Sequence, residues 1–292
     1  MSDKYSATWI SHSSISDYLA CPRAYYLKNV YKDPQTRHKL QIVSPSLSLG
    51  IAVHDILENL STKKSSERFQ ESLVAQFERH WPQFTGEKGG FTSESLEKTY
   101  HDRGLAMLQR VMNHPGPLTG LAVKIKADLP KFWLSEDENI ILCGKLDWLT
   151  YHPADQTVTI IDFKTSKTVE NESSLQLPIY LLLATYCQKY HVRDAAYWYL
   201  ELHDELTPKP LPSLADARAQ LLDIGRRIAT APNSRLSNAP TAVVPIANLL
   251  SAFCAAKANW SAATTKCDAI AICSHGNTRQ MTPPKRSCSH FA

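Results

Sequence analysis

The chain has 292 residues, of which 43% are hydrophobic and 21% charged, with a formal net charge of +4. These are ordinary values for a soluble globular protein with an ample core, forming one large domain or two small ones, and the mild basicity permits a nucleic-acid partner without requiring one. Seven cysteines, an odd number at irregular spacing, do not suggest a disulfide-stapled scaffold.

Met1 to Tyr5 has no apolar run behind a basic start, so a cytoplasmic protein is expected. Ser14-Ile15-Ser16-Asp17 reads as a helix start with Ser14 or Ser16 as N-cap, and the helix ends near Cys21-Pro22. Pro22 then opens a second helix through Tyr25 and Leu27. Between Leu49 and Leu60, the residues Ile51, Val53, Ile56 and Leu57 form a helical stripe. Two further helices are expected near Ser66–His80 and Ser93–Asn113.

From about Leu121 the period shortens. Val123, Ile125 and Ala127 alternate, and Asn139–Tyr151 and Thr157–Phe163 read as strands around a turn at His152-Pro153-Ala154-Asp155. Ser173 or Ser174 caps a helix to about Lys189, with Pro178 in its first turn. Ala195–Leu200 reads as an aromatic-rich strand and Leu214–Ile228 as an amphipathic helix. This order predicts an α/β fold, a central mixed β-sheet flanked by helices behind a helical N-terminal layer. After about Ala231 charge becomes sparse and periodicity fades, so residues 1–235 are expected as the folded domain and 236–292 as a divergent or poorly ordered tail. Leu236 to Ala256 lacks charge, but Pro240, Pro245 and Asn248 make it a poor bilayer span, and no membrane is expected as a partner.

The chemistry gathers on two of the strands. A hairpin built from Gly144-Lys145-Leu146-Asp147 and Ile160-Ile161-Asp162-Phe163-Lys164 puts Asp147, Asp162 and Lys164 at one point. An anion and a cation at alternate strand positions face the same side, and burying them is costly unless they pair or bind something. Two carboxylates can hold a hard divalent cation, and an ammonium beside them can orient a water, the minimum for cutting a phosphodiester.

With these residues the chain resembles the PD-(D/E)XK nuclease superfamily, in particular its RecB-type members and their relatives in CRISPR spacer adaptation. The matching segments fall in the family's order: Cys21-Pro22-Arg23, Gly50-Ile51-Ala52-Val53-His54, Gly144-Lys145-Leu146-Asp147, Asp162-Phe163-Lys164 and Gln176-Leu177-Pro178-Ile179-Tyr180. The resemblance implies a restriction-endonuclease-like fold and a metal-dependent deoxyribonuclease. It further implies an exonuclease acting on single-stranded DNA or DNA ends in repair, recombination or defence, with a helicase or recombination partner.

For the site, the resemblance implies His54, Asp147, Asp162 and the Phe163 carbonyl as ligands of Mg²⁺ or Mn²⁺. Lys164 would contact the scissile phosphate and the attacking water, with Gln176 and Tyr180 as supporting catalytic groups. Burial and the carboxylates act on the Lys164 proton in opposite directions, which leaves its charge open. Lys167 adds positive charge nearby or is a solvated loop lysine. The rival reading is a catalytically silent nucleic-acid-binding subunit that retains the fold.

Many RecB-type relatives also hold a 4Fe–4S cluster, which implies Cys21, Cys267 and Cys273 as ligands. Thr264 stands where another cysteine is expected, so the fourth thiolate is missing or comes from Cys254 or Cys288; the alternative is buried or stray cysteines, with Cys143 and Cys187 in the core. Ala239 and Ala242 are spaced like Cys-x-x-Cys, and alanine codons read one base early can yield cysteine, so the tail also fits an out-of-frame C-terminus that the coding DNA would decide.

Overall fold

The computed structural model describes residues 4–171 and 173–231, and beyond them only the backbone of a strand at 270–272. The elements run β1 (Thr8–Ile10), α1 (His12–Ala20), α2 (Pro22–Tyr25), a π-helical turn (Tyr26–Val30), β2 (Gln41–Val43), α3 (Pro45–Asn59), α4 (Leu73–His80) and α5 (Glu94–Asn113). They continue with β3 (Lys131–Ser135), β4 (Ile140–Cys143), β5 (Trp148–His152), β6 (Thr157–Lys164), α6 (Gln176–Cys187), β7 (His191–Tyr199), β8 (Thr207–Lys209), α7 (Leu214–Thr230) and β9 (Ile270–Ile272).

Serines start most of the helices by accepting a hydrogen bond from the first turn: Ser44 for α3, Ser72 for α4, Ser93 for α5 and Ser213 for α7. The N-cap of α1 is Ser11, neither Ser14 nor Ser16, because Ser11 and Ser14 satisfy one another in a capping box. The N-cap position of α6 is Leu175, which makes no side-chain bond, yet Ser174 Oγ accepts the N–H of Gln176, the first helical residue, at 3.4 Å. The helix expected from Ser66 begins only at Leu73, after a 3₁₀ turn at Ser65–Glu67.

The mixed sheet is divided. One sheet has the order β5-β6-β7-β8, with β6 and β7 parallel and the outer pairs antiparallel; another has the order β1-β4-β3, with β1 parallel to β4. The stretch expected as one strand from Asn139 to Tyr151 breaks into β4 and β5. At the break Gly144 runs so close to α6 that an added Cβ would lie 2.9 Å from Leu183 Cδ1. The alternating residues near Val123 form no strand of their own and make only the bridge from Ala122 to Thr150. They nevertheless line the edge of β5, with Val123 N–H donating to the Leu149 carbonyl at 2.9 Å. β2 and β9 pair antiparallel, which brings backbone 270–272 beside the start of α3.

Each face of the β5–β8 sheet is covered. Ile160, Leu149 and Tyr197 pack on Ile179 and Leu183 of α6 and Leu221 of α7. On the other face Trp148, Ile161, Phe163 and Trp198 pack on Val53 of α3, Phe77 of α4 and Met107 of α5. Alternation along β6 puts Asp162 and Lys164 on the α6 face. Arg68 braces the opposite side, donating to the carbonyls of Leu60, Leu118 and Gly120 with its guanidinium 4.9 Å from the Trp148 ring. Among the described residues no helix is long and apolar enough to cross a membrane.

Candidate metal centre

Trp148 pairs with Ile161, so Asp147, which immediately precedes β5, lies across from Asp162 in β6. Asp147 Oδ2 accepts from the Phe163 N–H at 2.8 Å, which ties the carboxylate to the β6 edge. The Lys164 carbonyl accepts from Leu200 on the β7 side. Backbone alternation therefore turns the Phe163 carbonyl to the other edge, toward Asp147. His54 comes from α3: its Nδ1 lies 3.3 Å from Asp147 Oδ2, and its ring meets Phe163 edge-on at 6.0 Å.

Glu58, one helical turn beyond His54, completes a group that sequence reasoning missed. His54, Glu58 and Asp147 each present a ligand atom, all within 4.8 Å of one another. The signal was the i, i+4 spacing from His54, which puts both side chains on one helix face. Glu58 is also ion-paired with Lys145.

Asp162 is 1% exposed and lies within reach of the Asp147 carboxylate. Oδ1 accepts from Gln176 Nε2 at 2.7 Å, and Oδ2 lies 2.9 Å from Lys164 Nζ. Gln176 Oε1 accepts from Lys164, and Gln176 Nε2 reaches Tyr180 Oη at 3.1 Å. The structure thus gathers His54, Asp147, Asp162, the Phe163 backbone, Lys164, Gln176 and Tyr180 in one place, with Glu58 added.

The charges are tightly linked. Burial and the adjacent Asp147 carboxylate push Asp162 up to about 7. Burial opposes the Asp147 anion, yet His54 and the Phe163 N–H hold it below the ordinary carboxylate value. Burial also opposes a charged His54, but Asp147, Asp162 and Glu58 raise it to about 9. For Lys164, desolvation is outweighed by Asp162 and Glu170, so the side chain is an ammonium, which resolves the point that residue types left open. Burial, then Asp147 and Asp162, drive the Tyr180 hydroxyl well above its usual value, and it is neutral.

Carboxylate oxygens, one imidazole and a backbone carbonyl suit a hard or borderline divalent cation. The protonation pattern agrees, because the His54 proton offsets buried anions that a bound cation would neutralise instead.

Two clefts flank the centre along α3. One of about 460 Å³ adjoins Glu58 and Asp147, with Lys124, Lys126 and Lys145 in its wall. The other, about 360 Å³, lies toward the α3 N-terminus among Ser46, Tyr100, Arg103, Ser166 and Lys167. Gly50 faces the loop after β6, where an added Cβ would make only an ordinary contact, 3.5 Å from Thr165 Oγ1.

Two more residues near the centre carried no local sequence signal. Glu170 Oε2 lies 3.4 Å from Lys164 Nζ. His12 is held below its ordinary pKa by burial and then by Lys164. Of the cysteines, Cys21 is half-buried at the end of α1, Cys143 is buried in β4, and Cys187 is half-buried against the Lys131 carbonyl. Cys254, Cys267, Cys273 and Cys288 lie outside the described residues, as do Ala239 and Ala242.

A family model for the PD-(D/E)XK nuclease superfamily matches residues 9–274. A comparison with curated proteins finds no match.

Proposed function

We propose, for a chain that belongs to the PD-(D/E)XK nuclease superfamily and is on that ground a metal-dependent nuclease, that the substrate is DNA and the cation Mg²⁺ or Mn²⁺. The observation that carries this is the adjacent buried pair Asp147 and Asp162, with His54 at one end and the Lys164 ammonium at the other.

When bound, a divalent cation supplies Lewis acidity at the phosphoryl oxygen and acidifies a water. Asp147, Asp162, His54 and the Phe163 carbonyl would hold it, with Glu58 as a further candidate. Lys164 would place a positive charge beside the scissile phosphate and the attacking water, and Gln176 keeps that ammonium aimed by bonding to both Lys164 and Asp162. Tyr180, neutral and bonded to Gln176, fixes the amide in turn. Water adds to phosphorus and gives up a proton, the bond from phosphorus to the leaving sugar oxygen breaks, and that oxygen takes up a proton, so one water is consumed.

The finer reading is a RecB-type exonuclease acting on single-stranded DNA or DNA ends in repair, recombination or defence, with a helicase or recombination partner. It is supported by the ordered motifs from Cys21 to Tyr180 and by the clefts on both sides of the centre, which suit one strand laid along α3. For a 4Fe–4S cluster, Cys21 is the one proposed thiolate among the described residues, and no step is assigned to it.

Cleavage of end-labelled single- and double-stranded DNA with Mg²⁺, Mn²⁺ or EDTA tests the proposal. Wild-type protein should cut only with metal, and Asp162→Ala should bind DNA without cutting. Binding without any metal-dependent cutting by the wild type would favour the silent subunit.

A further inference from the structure

Acceptor oxygens crowd the Lys164 ammonium, with Gln176 Oε1 the hydrogen-bonded one and two carboxylates as ion-pair neighbours. An ammonium carries three N–H bonds, and Lys164 Nζ faces Asp162 Oδ2 at 2.9 Å, Glu170 Oε2 at 3.4 Å and Gln176 Oε1. The Tyr197 ring covers it as well, with its centroid 4.7 Å from Nζ. A phosphate arriving at Lys164 therefore competes with oxygens that already face the ammonium.

The three are not equally replaceable. Asp162 is 1% exposed and locked by Gln176, and Gln176 is 9% exposed and held between Asp162 and Tyr180. Glu170 sits on the loop joining β6 to α6, its side chain is 30% exposed, and its contact with Nζ is the weakest Coulombic one. Its backbone is secured independently, since the Glu170 N–H donates to Tyr199 Oη at 3.0 Å. Upstream, Arg103 donates to the Thr165 carbonyl at 3.1 Å, and Ser166 Oγ donates to the Thr168 carbonyl at 2.6 Å. The carboxylate can leave Lys164 while these backbone ties stay closed.

We infer that Glu170 is a positioning residue that stands in for substrate: its carboxylate fills the anion seat beside Lys164 in the ligand-free protein and competes there with a backbone phosphate of the nucleic acid. This rests on the nuclease reading of the same centre. The competition makes Glu170 a specificity determinant. A lone phosphate must displace a tethered carboxylate with nothing else to hold it. A polynucleotide has further phosphates for the flanking clefts, so its binding there offsets the displacement. Glu170 thus favours chains over mononucleotides and free phosphate, and holds the ammonium toward Asp162 until a chain arrives.

Full-length wild type, Glu170→Gln and Glu170→Asp distinguish the possibilities in two assays. In Mn²⁺-dependent cleavage of a single-stranded oligonucleotide, E170Q should lower KM by about three- to tenfold with kcat within about twofold. E170D, which keeps the charge on a shorter arm, should fall between E170Q and wild type. An unchanged or raised KM in E170Q overturns the inference, and so does a kcat loss in both variants, the mark of a purely structural role. In the second assay inorganic phosphate is titrated into metal-free protein and followed by NMR, and E170Q should bind it more tightly than wild type. Equal phosphate affinity overturns the inference whether or not DNA is cut. Wild-type protein that never cuts DNA sinks the nuclease reading instead, and the phosphate titration still decides the competition.

Discussion

His54 Nδ1 stands 3.3 Å from Asp147 Oδ2, and this pair stores a proton where a cation is expected to bind. With its pKa raised to about 9, the imidazole is charged through the neutral range in metal-free protein. A cation that takes the nitrogen expels that proton, so apparent metal affinity should rise about tenfold per pH unit until His54 is neutral. Asp162, at about 7, adds a second proton to the exchange on the acid side. Calorimetric titration of Mn²⁺ in buffers of different ionisation enthalpy should find about one proton released per ion near pH 8. Affinity that is flat between neutrality and the His54 pKa would contradict this arrangement.

Asp162 weakens the metal-free fold. Its folded pKa of about 7 lies above the ordinary carboxylate value, so the ionised form is penalised. The penalty is absent in acid below the unfolded pKa, grows as pH rises, and is complete above the folded pKa. Asp162→Asn should therefore stabilise the metal-free protein in mildly alkaline buffer by about 1–3 kcal/mol, at 1.36 kcal/mol per unit discounted for the lost Lys164 contact. No such gain is expected in acid. The same variant should not cut DNA. Urea unfolding at both pH values measures the difference, and a less stable variant in alkaline buffer would refute the claim.

Lys124 and Lys126, in the segment beside β5, line the larger of the two clefts. If one strand runs there, replacing both by glutamine should reduce the slope of log K against log salt by about 1.4 for single-stranded DNA. KM should rise with little change in kcat. Anisotropy titrations of a labelled oligonucleotide in Ca²⁺ at several salt concentrations read the slope. An unaltered slope would place the strand elsewhere.

The centre was largely legible in the sequence because its elements announce themselves locally. The short apolar run Thr159 to Lys164, next to a strand that begins just after Asp147, makes a hairpin and with it the facing of two carboxylates. His54 lies on a helix whose apolar stripe sets the inward side, whereas Gln176 and Tyr180 lie on α6, which is apolar and buried nearly all round. What escaped depends on distant partners. β1 is strand only through its parallel pairing with β4, far along the chain. The sheet divides at Gly144, where the chain runs close to Leu183 of α6, a proximity that no local pattern records. Glu170 and His12 acquire meaning only from the position of Lys164. Ser14 resembles a cap in isolation and loses the role because Ser11 completes the reciprocal pair with it.

Arg103 of α5 grips the Thr165 carbonyl and, through the same guanidinium, both carboxylate oxygens of Glu201. The chain leaving β6 is thereby bolted to the scaffold one residue after Lys164. Any rearrangement that an arriving strand provokes is confined downstream of that bolt, and the donors on α3, β5 and β6 need not shift. Reactant entry deforms a short connector and leaves the reacting geometry as it was built.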